Sequence, residues 1–224
     1  DEVRDSGIVV GWANAAASPV HHLLKELVPY DRFFYDLHDT PELVLGTAAR
    51  MEGYFEQVIA ACAASAAEVV LLGANYDVTL TTPAIFAEHI APWLSRAAER
   101  LHAAGKLLAT HTDGENDGLV EWYVRCGVDV ADSVCPAPMT RLSLAQYRRQ
   151  FGVRPAIWGG ICSISVLPGS MSEEQFEAHL DEVVAAVGDG RGVIFSLADT
   201  TPPAASIARI RRIGQRLAQF GAVI

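Results

Sequence analysis

The sequence predicts an α/β protein in which short apolar strands alternate with amphipathic helices. Six strand-then-helix units follow one another, and no linker or low-complexity segment separates them. The strands are continuous apolar runs, as is typical of parallel sheets that are covered on both faces. Polar and reactive residues follow the strands, as in parallel barrels whose loops at one end carry the chemistry. We therefore predict a (β/α)8 TIM barrel in a single domain over residues 1–224.

An open, doubly wound sheet is the alternative α/β architecture. Nucleotide-binding sheets of that kind carry glycine-rich phosphate loops, and neither G-x-G-x-x-G nor G-x-x-x-x-G-K-[ST] occurs here. The barrel is therefore preferred. A closed barrel of this type has eight strands, whereas the sequence supplies six strand–helix units. We expect the first strands of the barrel to be missing at the amino end of this sequence.

The predicted strands are short apolar runs that end in polar or glycine-containing turns. Because polar groups are costly inside such a sheet, the residues that follow each run are the ones expected to face solvent or substrate. The strands are predicted at residues 6–12, 68–72, 106–111, 128–134, 155–158 and 193–197.

Start and stop signals place the helices between these strands. Residues 40–42 (Thr-Pro-Glu) and 82–83 (Thr-Pro) are typical helix starts, and residues 172–175 form a capping box. Gly105 and Gly127 end helices. Between these signals, apolar residues recur with the period of a helix. Helices are predicted around residues 20–27, 40–62, 82–105, 119–126, 144–151, 172–187 and 207–217.

Composition and charge exclude several classes of protein. The balance of 17 Lys and Arg against 27 Asp and Glu gives a net charge of -10, which disfavours nucleic acid and anionic membrane as partners. The sequence has neither a long uncharged apolar run nor an amino-terminal signal peptide. Its four cysteines are widely spaced, which excludes a zinc knuckle and fits reduced thiols. We expect a cytoplasmic protein that acts on a small molecule.

The segment from Leu107 to Asn116 is the centre of the predicted site. It ends an apolar strand with His111-Thr112-Asp113 and then turns at Gly114. Residues at i and i+2 of a strand project to one face, so His111 and Asp113 could reach one ion, proton or substrate atom. Asp199 follows the last strand and would converge on the same rim. We predict that His111, Asp113 and Asp199 carry the chemistry, with an ordinary Asp-Gly turn as the structural alternative.

Two roles remain open for this group. Imidazole, thiolate and carboxylate all bind zinc, and three such ligands with one open position suit activation of a thiol or water. The predicted metal ligands are His111 and Asp113 with Cys135, which follows the fourth strand, or with Asp199. Without a metal, His111 would act as an acid or base that a neighbouring carboxylate orients. An inert thiol that lines the mouth is the alternative for Cys135.

Other residues at the strand ends are predicted to contact a substrate. Tyr76 and Asp77 follow the second strand, and Cys162 follows the fifth strand. Tyr76 could instead fill the barrel interior. Cys162 could occupy its position simply because a larger side chain would clash after two glycines.

Several motifs, taken in order, resemble the uroporphyrinogen decarboxylase superfamily, which includes the decarboxylase itself and corrinoid-linked methyltransferases. The similarity runs from about Gly7 to the carboxyl terminus. It implies a (β/α)8 barrel whose first strands and helices are absent from this sequence. The segments that carry the resemblance are 83–86, 91–94, 101–106, 111–116, 126–129, 157–161 and 201–207.

The two branches of the superfamily differ from this sequence at defined positions. The methyltransferase branch has His-x-Cys-Gly-Asn, in which the His and Cys bind zinc with a later Cys. His111 matches that His, whereas Asp113 and Asp199 stand about where the cysteines are expected. The decarboxylase branch has Gly-His-Gly where this chain has residues 198–200 (Ala-Asp-Thr). His21 and His22 lie near the position of a substrate-facing tyrosine of that branch, which implies a role in substrate binding for one of them, with His21 as the choice.

The resemblance implies an enzyme, and methyl transfer is the preferred activity. A small thiol would take a methyl group from a corrinoid protein or from a methylated small molecule, with zinc as the cofactor. Cofactor-free decarboxylation of a carboxylated tetrapyrrole or another small acid is the second hypothesis. A barrel that only binds a small molecule or a partner subunit is the third. An exposed edge left by missing strands would favour self-association into a homodimer.

Overall fold

The structure is a computed structural model that describes residues 7–220, and its strands match the six predicted ones. The strands are β1 (Val10–Asn14), β2 (Val69–Ala74), β3 (Leu107–His111), β4 (Val130–Val134), β5 (Ala156–Ile161) and β6 (Val193–Leu197).

Helices follow every strand. They are α1 (Pro19–His22), α2 (Tyr30–Asp39), α3 (Pro41–Ala64), α4 (Pro83–Ile85), α5 (Ala91–Ala103), α6 (Val120–Arg125), α7 (Leu144–Phe151), α8 (Glu173–Val187) and α9 (Ile207–Leu217). Shorter turns are the π-helical segments Leu23–Leu27 and Phe86–Ile90 and the 3-10 segments Ser163–Val166 and Ala218–Phe220. Within the described residues, no helix is long and apolar enough to span a lipid bilayer.

The six described strands form one parallel sheet in the order β1-β2-β3-β4-β5-β6. Each strand therefore pairs with the next strand along the chain. A doubly wound sheet would reverse its order at a switch point, and this sheet has no reversal. The predicted α/β fold is confirmed, and the architecture is that of a partial TIM barrel.

The sheet has a helix-covered face and an inner face. On β2, Val70 and Leu72 belong to the large core that the sheet shares with the helices. Their neighbours Val69 and Leu71 project to the inner face, because side chains alternate along a strand. There they form a small cluster with three further residues. These residues are Ala109 of β3, Val130 of β4 and Trp158 of β5.

Two details at the first helices differ from the predictions. Helix α2, with Phe33 buried, was not predicted; it packs on α3 in a small core of its own. Thr40 does precede α3, but its side chain makes no capping hydrogen bond to that helix. Its hydroxyl donates instead to the carbonyl of Asp36 at 3.3 Å, because the end of α2 lies directly before α3. By contrast, the capping box of α8, from Ser172 to Gln175, is confirmed.

Backbone irregularities gather at the carboxyl ends of the strands. Strand registers shift near the ends of β1, β2 and β4. Among residues 7–220, three non-glycine residues have positive φ: Asn75 after β2, Ser133 within β4 and Asp199 after β6. Such conformations are costly and cluster at functional sites. The carboxyl rim is therefore the part of the sheet to search for a site.

Gly159 of β5 provides a test of the sheet. Its φ is +136°, and a Cβ there would lie 2.8 Å from the backbone N and O of Val134. We expect Gly159→Ala to destabilise the fold by at least about 2 kcal/mol, because the β4–β5 contact must open. Gly53→Ala is the matched control, since Gly53 lies in α3 with nothing within 4 Å of an added Cβ. That variant should gain about 0.5–1 kcal/mol. Urea unfolding measures both, and equal stabilities would contradict this account of the sheet.

Candidate functional site

His111 lies at the carboxyl end of β3 on the inner face, two residues after Ala109. Its Nδ1 lies 2.7 Å from Oδ2 of Asp132, and the two side chains are 16% and 17% exposed. The strand register explains the contact, because His111 and Asp132 are paired neighbours on β3 and β4. The imidazole is therefore fixed at one nitrogen, and Nε2 is left for other partners.

Asp113 and Asp199 form a group with His111. Nε2 of His111 lies 3.6 Å from Oδ1 of Asp199. One ligand atom from each of His111, Asp113 and Asp199 lies within 4.8 Å of the other two. In the part of the chain that the structure describes, this is the one group of three or more His, Cys, Asp and Glu so arranged. The structure thus brings together the three residues that the sequence predicts as carrying the chemistry.

The turn after Asp113 depends on glycine. Gly114 has a φ of +97°, and a Cβ there would lie 3.2 Å from the side chain of Asp77. Oδ2 of Asp77 accepts a hydrogen bond from the Glu115 N–H at 3.1 Å, and Oδ1 accepts one from the Thr79 N–H at 2.8 Å. Asp77, which was predicted to bind substrate, therefore joins the loops after β2 and β3. In this structure its carboxylate is already used for that purpose.

The charges of the group shift the pKa values of its members. Burial disfavours protonation of His111, but its hydrogen bond to Asp132 and the nearby carboxylates outweigh burial and raise its pKa. Burial raises the pKa of Asp113, and the negative charge of Asp199 raises it further. Lys25, whose Nζ lies 3.4 Å from the carbonyl O of Asn75, partly offsets this shift. A concentration of negative charge of this kind favours a bound proton or cation.

The donor set fits a divalent metal. Imidazole nitrogen and carboxylate oxygen bind zinc at about 2.0–2.2 Å, so two ligand atoms on one tetrahedral ion lie about 3.3–3.6 Å apart. The three ligand atoms lie within 4.8 Å of one another, so they would have to approach one another by roughly 1 Å around such an ion. With three protein ligands, a tetrahedral ion would keep one open position. His111, Asp113 and Asp199 are the residues that could hold it.

Cys135, which the sequence offers as an alternative to Asp199 for the third metal ligand, is not a member of this group. Asp199 takes the third place. Cys135 is 2% exposed, and burial, Cys162 and the rim carboxylates raise the pKa of its thiol to about 12. A thiol binds metal as the thiolate, so this environment makes Cys135 a poor ligand. Cys162 is also fully buried, and burial raises the pKa of its thiol too.

Tyr76 and His21, both predicted to bind substrate, lie in the core on the helix-covered face. The two buried rings stack with centroids 5.0 Å apart, and the Tyr76 hydroxyl lies 2.8 Å from Oγ1 of Thr110. Thr110 precedes His111 in β3, so its side chain projects to the opposite face. Burial and the nearby Lys25 lower the pKa of His21 to about 3, which keeps this imidazole neutral. The structure therefore does not bring either residue to the group around His111.

Sequence reasoning missed Asp132, Ser133 and Lys25. Asp132 carried a usable signal, because an ionisable residue inside the apolar run Val130–Val134 needs a partner. Ser133 accepts a hydrogen bond at its Oγ from the Asp199 N–H at 2.6 Å. No local pattern identifies Ser133 or Lys25, since both contacts join segments that are distant along the chain.

Comparisons with known proteins agree with the fold. The chain matches the family model described as uroporphyrinogen decarboxylase (URO-D) over residues 12–219. No curated protein matches the sequence. Among solved structures, a methyltransferase from Methanosarcina mazei is similar with a TM-score of 0.71 and 16% sequence identity. The match covers 98% of this chain and 62% of that chain.

At that identity, the structural likeness shows the fold alone, and this chain spans only 62% of the length of the methyltransferase structure. The family assignment rests on the longer sequence match. Because the family model covers residues 12–219 of the 224-residue sequence, the chain belongs to the uroporphyrinogen decarboxylase superfamily, as its motifs predict.

Proposed function

We propose that this chain is part of a metal-dependent methyltransferase that transfers a methyl group to a small thiol. The observation that carries the proposal is the convergence of His111, Asp113 and Asp199 on one point of the rim. The methyltransferase from Methanosarcina mazei with a similar fold supports the choice of reaction. The methyl donor would be a corrinoid protein or a methylated small molecule.

In this proposal His111 Nε2, Asp113 and Asp199 hold a divalent ion, with zinc as the first choice. When bound, the ion would supply Lewis-acid chemistry that lowers the pKa of a thiol at its open position. The thiol would give its proton to solvent water, and its sulfur would take the methyl carbon. The S–C bond forms as the bond between methyl and donor breaks, and the bonding electron pair stays with the donor.

The protein side chains have defined tasks in this reaction. Asp132 accepts the Nδ1–H of His111, which keeps the lone pair of Nε2 directed at the group. Asp113 and Asp199 supply two negative charges that balance the charge of a divalent ion. Two carboxylates make a harder ligand set than two thiolates, so the same residues would also accept Mn²⁺ or Fe²⁺.

Cofactor-free decarboxylation is the second candidate, and the raised pKa of His111 favours it. An imidazolium at this position could donate the proton from Nε2 to the substrate carbon as carbon dioxide leaves. The C–C electron pair would stay on that carbon and bind the proton. Asp132 would stabilise the charged imidazole before the transfer.

The metal site predicts specific losses on substitution. Full-length protein should bind about one zinc ion per chain, and His111→Ala or Asp113→Asn should remove that ion together with methyl transfer. Elemental analysis and a thiol methylation assay measure the two effects. His102→Gln is the matched control, because His102 forms an equivalent 2.7 Å contact with Asp129 just before β4, at the opposite end of the strands. Release of carbon dioxide by fully active, metal-free protein would instead establish the second candidate.

Metal affinity should depend on pH through His111. A proton on Nε2 competes with the ion, and the pKa of His111 is raised above 6.5. Zinc affinity should therefore fall as the solution is acidified below that pKa, by up to about tenfold per pH unit. Competition with a chromophoric chelator between about pH 8 and about pH 6 measures this dependence. A flat profile would mean that His111 is not a ligand.

The electrostatic coupling within the group can be tested without metal. Asp199→Asn should lower the pKa of Asp113, because a repelling charge is lost, and should also lower the pKa of His111, because an attracting charge is lost. NMR titration of the carboxyl carbon and the imidazole protons, with a chelator present, measures both. Unchanged values would show that Asp199 does not face the other two side chains in solution.

A further inference from the structure

We propose that the dipeptide Asp132–Ser133 of β4 is a positioning element that holds two of the three ligands in place. Asp132 fixes His111, which ends β3, and Ser133 fixes Asp199, which follows β6. The inference rests on the proposed metal site. It assigns roles to two residues that make no direct contact with the ion.

Asp132 determines which nitrogen of His111 is available. Its Oδ2 lies 2.7 Å from Nδ1 of His111, so the imidazole N–H is directed at Asp132 and Nε2 keeps its lone pair. Nε2 then faces Asp199, 3.6 Å away. A carboxylate behind a histidine ligand fixes both the tautomer and the ring orientation and makes the ligand more basic.

Ser133 fixes the backbone of Asp199 at the start of the turn that follows β6. Its Oγ accepts the backbone N–H of Asp199 at 2.6 Å, although the two residues are 66 positions apart. Both residues have positive φ, 61° for Ser133 and 60° for Asp199. Non-glycine residues keep this conformation only where the surrounding contacts require it. The hydrogen bond between them is such a contact.

The contact crosses the intervening strand β5. The register of β4 shifts between Asp132 and Val134, which marks a bulge centred on Ser133, and Val134 then pairs with Gly159. Gly159 lets the bulge lie directly on the β5 backbone, since a Cβ there would approach Val134 to 2.8 Å. Ser133 can therefore reach the exit of β6 because the strand between them has no side chain at this point.

The bulge thus allows two adjacent residues of β4 to position two proposed ligands, one on each side of the strand. Asp132 projects toward β3, and Ser133 reaches past β5 toward the exit of β6. In a regular strand, residue 133 would be an ordinary partner in the ladder with β5. A purely structural bulge would need neither a carboxylate at position 132 nor a hydroxyl at position 133.

Two variants test the proposal on full-length protein. Asp132→Asn should weaken zinc binding by about 10–100-fold, because the charge behind His111 is lost. Ser133→Gly should weaken it by severalfold, because Asp199 loses its anchor, yet the fold should not lose stability, since glycine readily adopts φ of 61°. Chelator competition gives the affinity, and urea unfolding gives the stability. His102→Gln again serves as the control and should bind zinc as the native protein does.

A second readout uses metal-free protein. Both variants should lower the pKa of His111 in an NMR titration, because Asp132 and Asp199 each raise that pKa. If native protein binds no zinc, the proposed function fails, and this titration still decides whether Asp132 and Ser133 position the group. Native-like zinc affinity and an unchanged pKa of His111 in both variants would overturn the inference.

Discussion

The hydrogen bond between His111 and Asp132 is the constraint on which the rest of the site depends. It joins β3 to β4 at their carboxyl ends, and it leaves the other imidazole nitrogen facing Asp199, with Asp113 in the same group. Three carboxylates around one imidazole repel one another, and a half-buried position screens that repulsion poorly. A proton on His111 or a bound cation relieves the repulsion. The same charges therefore raise the pKa of His111 and would favour a bound cation.

The architecture explains how distant segments meet. In a parallel sheet with strands in chain order, every carboxyl end lies on the same rim, so the exits of β3, β4 and β6 can supply one site. Order alone does not bring β6 to β3, because two strands separate them. The bulge at Ser133 and the absent side chain of Gly159 bring the exit of β6 inward.

The residues at positions 113 and 199 distinguish this chain from the pattern of the methyltransferase branch that its motifs resemble. Aspartate stands at positions 113 and 199, so the site offers oxygen where that branch offers sulfur. Oxygen ligands discriminate less than thiolates do between zinc and harder ions. Carboxylates also take up a proton, and so lose their negative charge, at lower pH than thiolates do. The proposed methyl transfer to a thiol would therefore depend on His111 and Asp132 more than it would if positions 113 and 199 were cysteines.

The sequence by itself determined the alternation of strands and helices, the superfamily, and the placement of His111, Asp113 and Asp199 at strand ends. These follow from apolar runs, capping residues and the two-residue period of a strand, all of which are local. Only the tertiary structure decided that Asp132 and Ser133 support the site, that Cys135 is not one of the clustered ligands, and that Tyr76 and His21 face the helices. Those outcomes depend on strand register, on the bulge at Ser133 and on contacts between segments that are distant along the chain, none of which leaves a local pattern in the sequence.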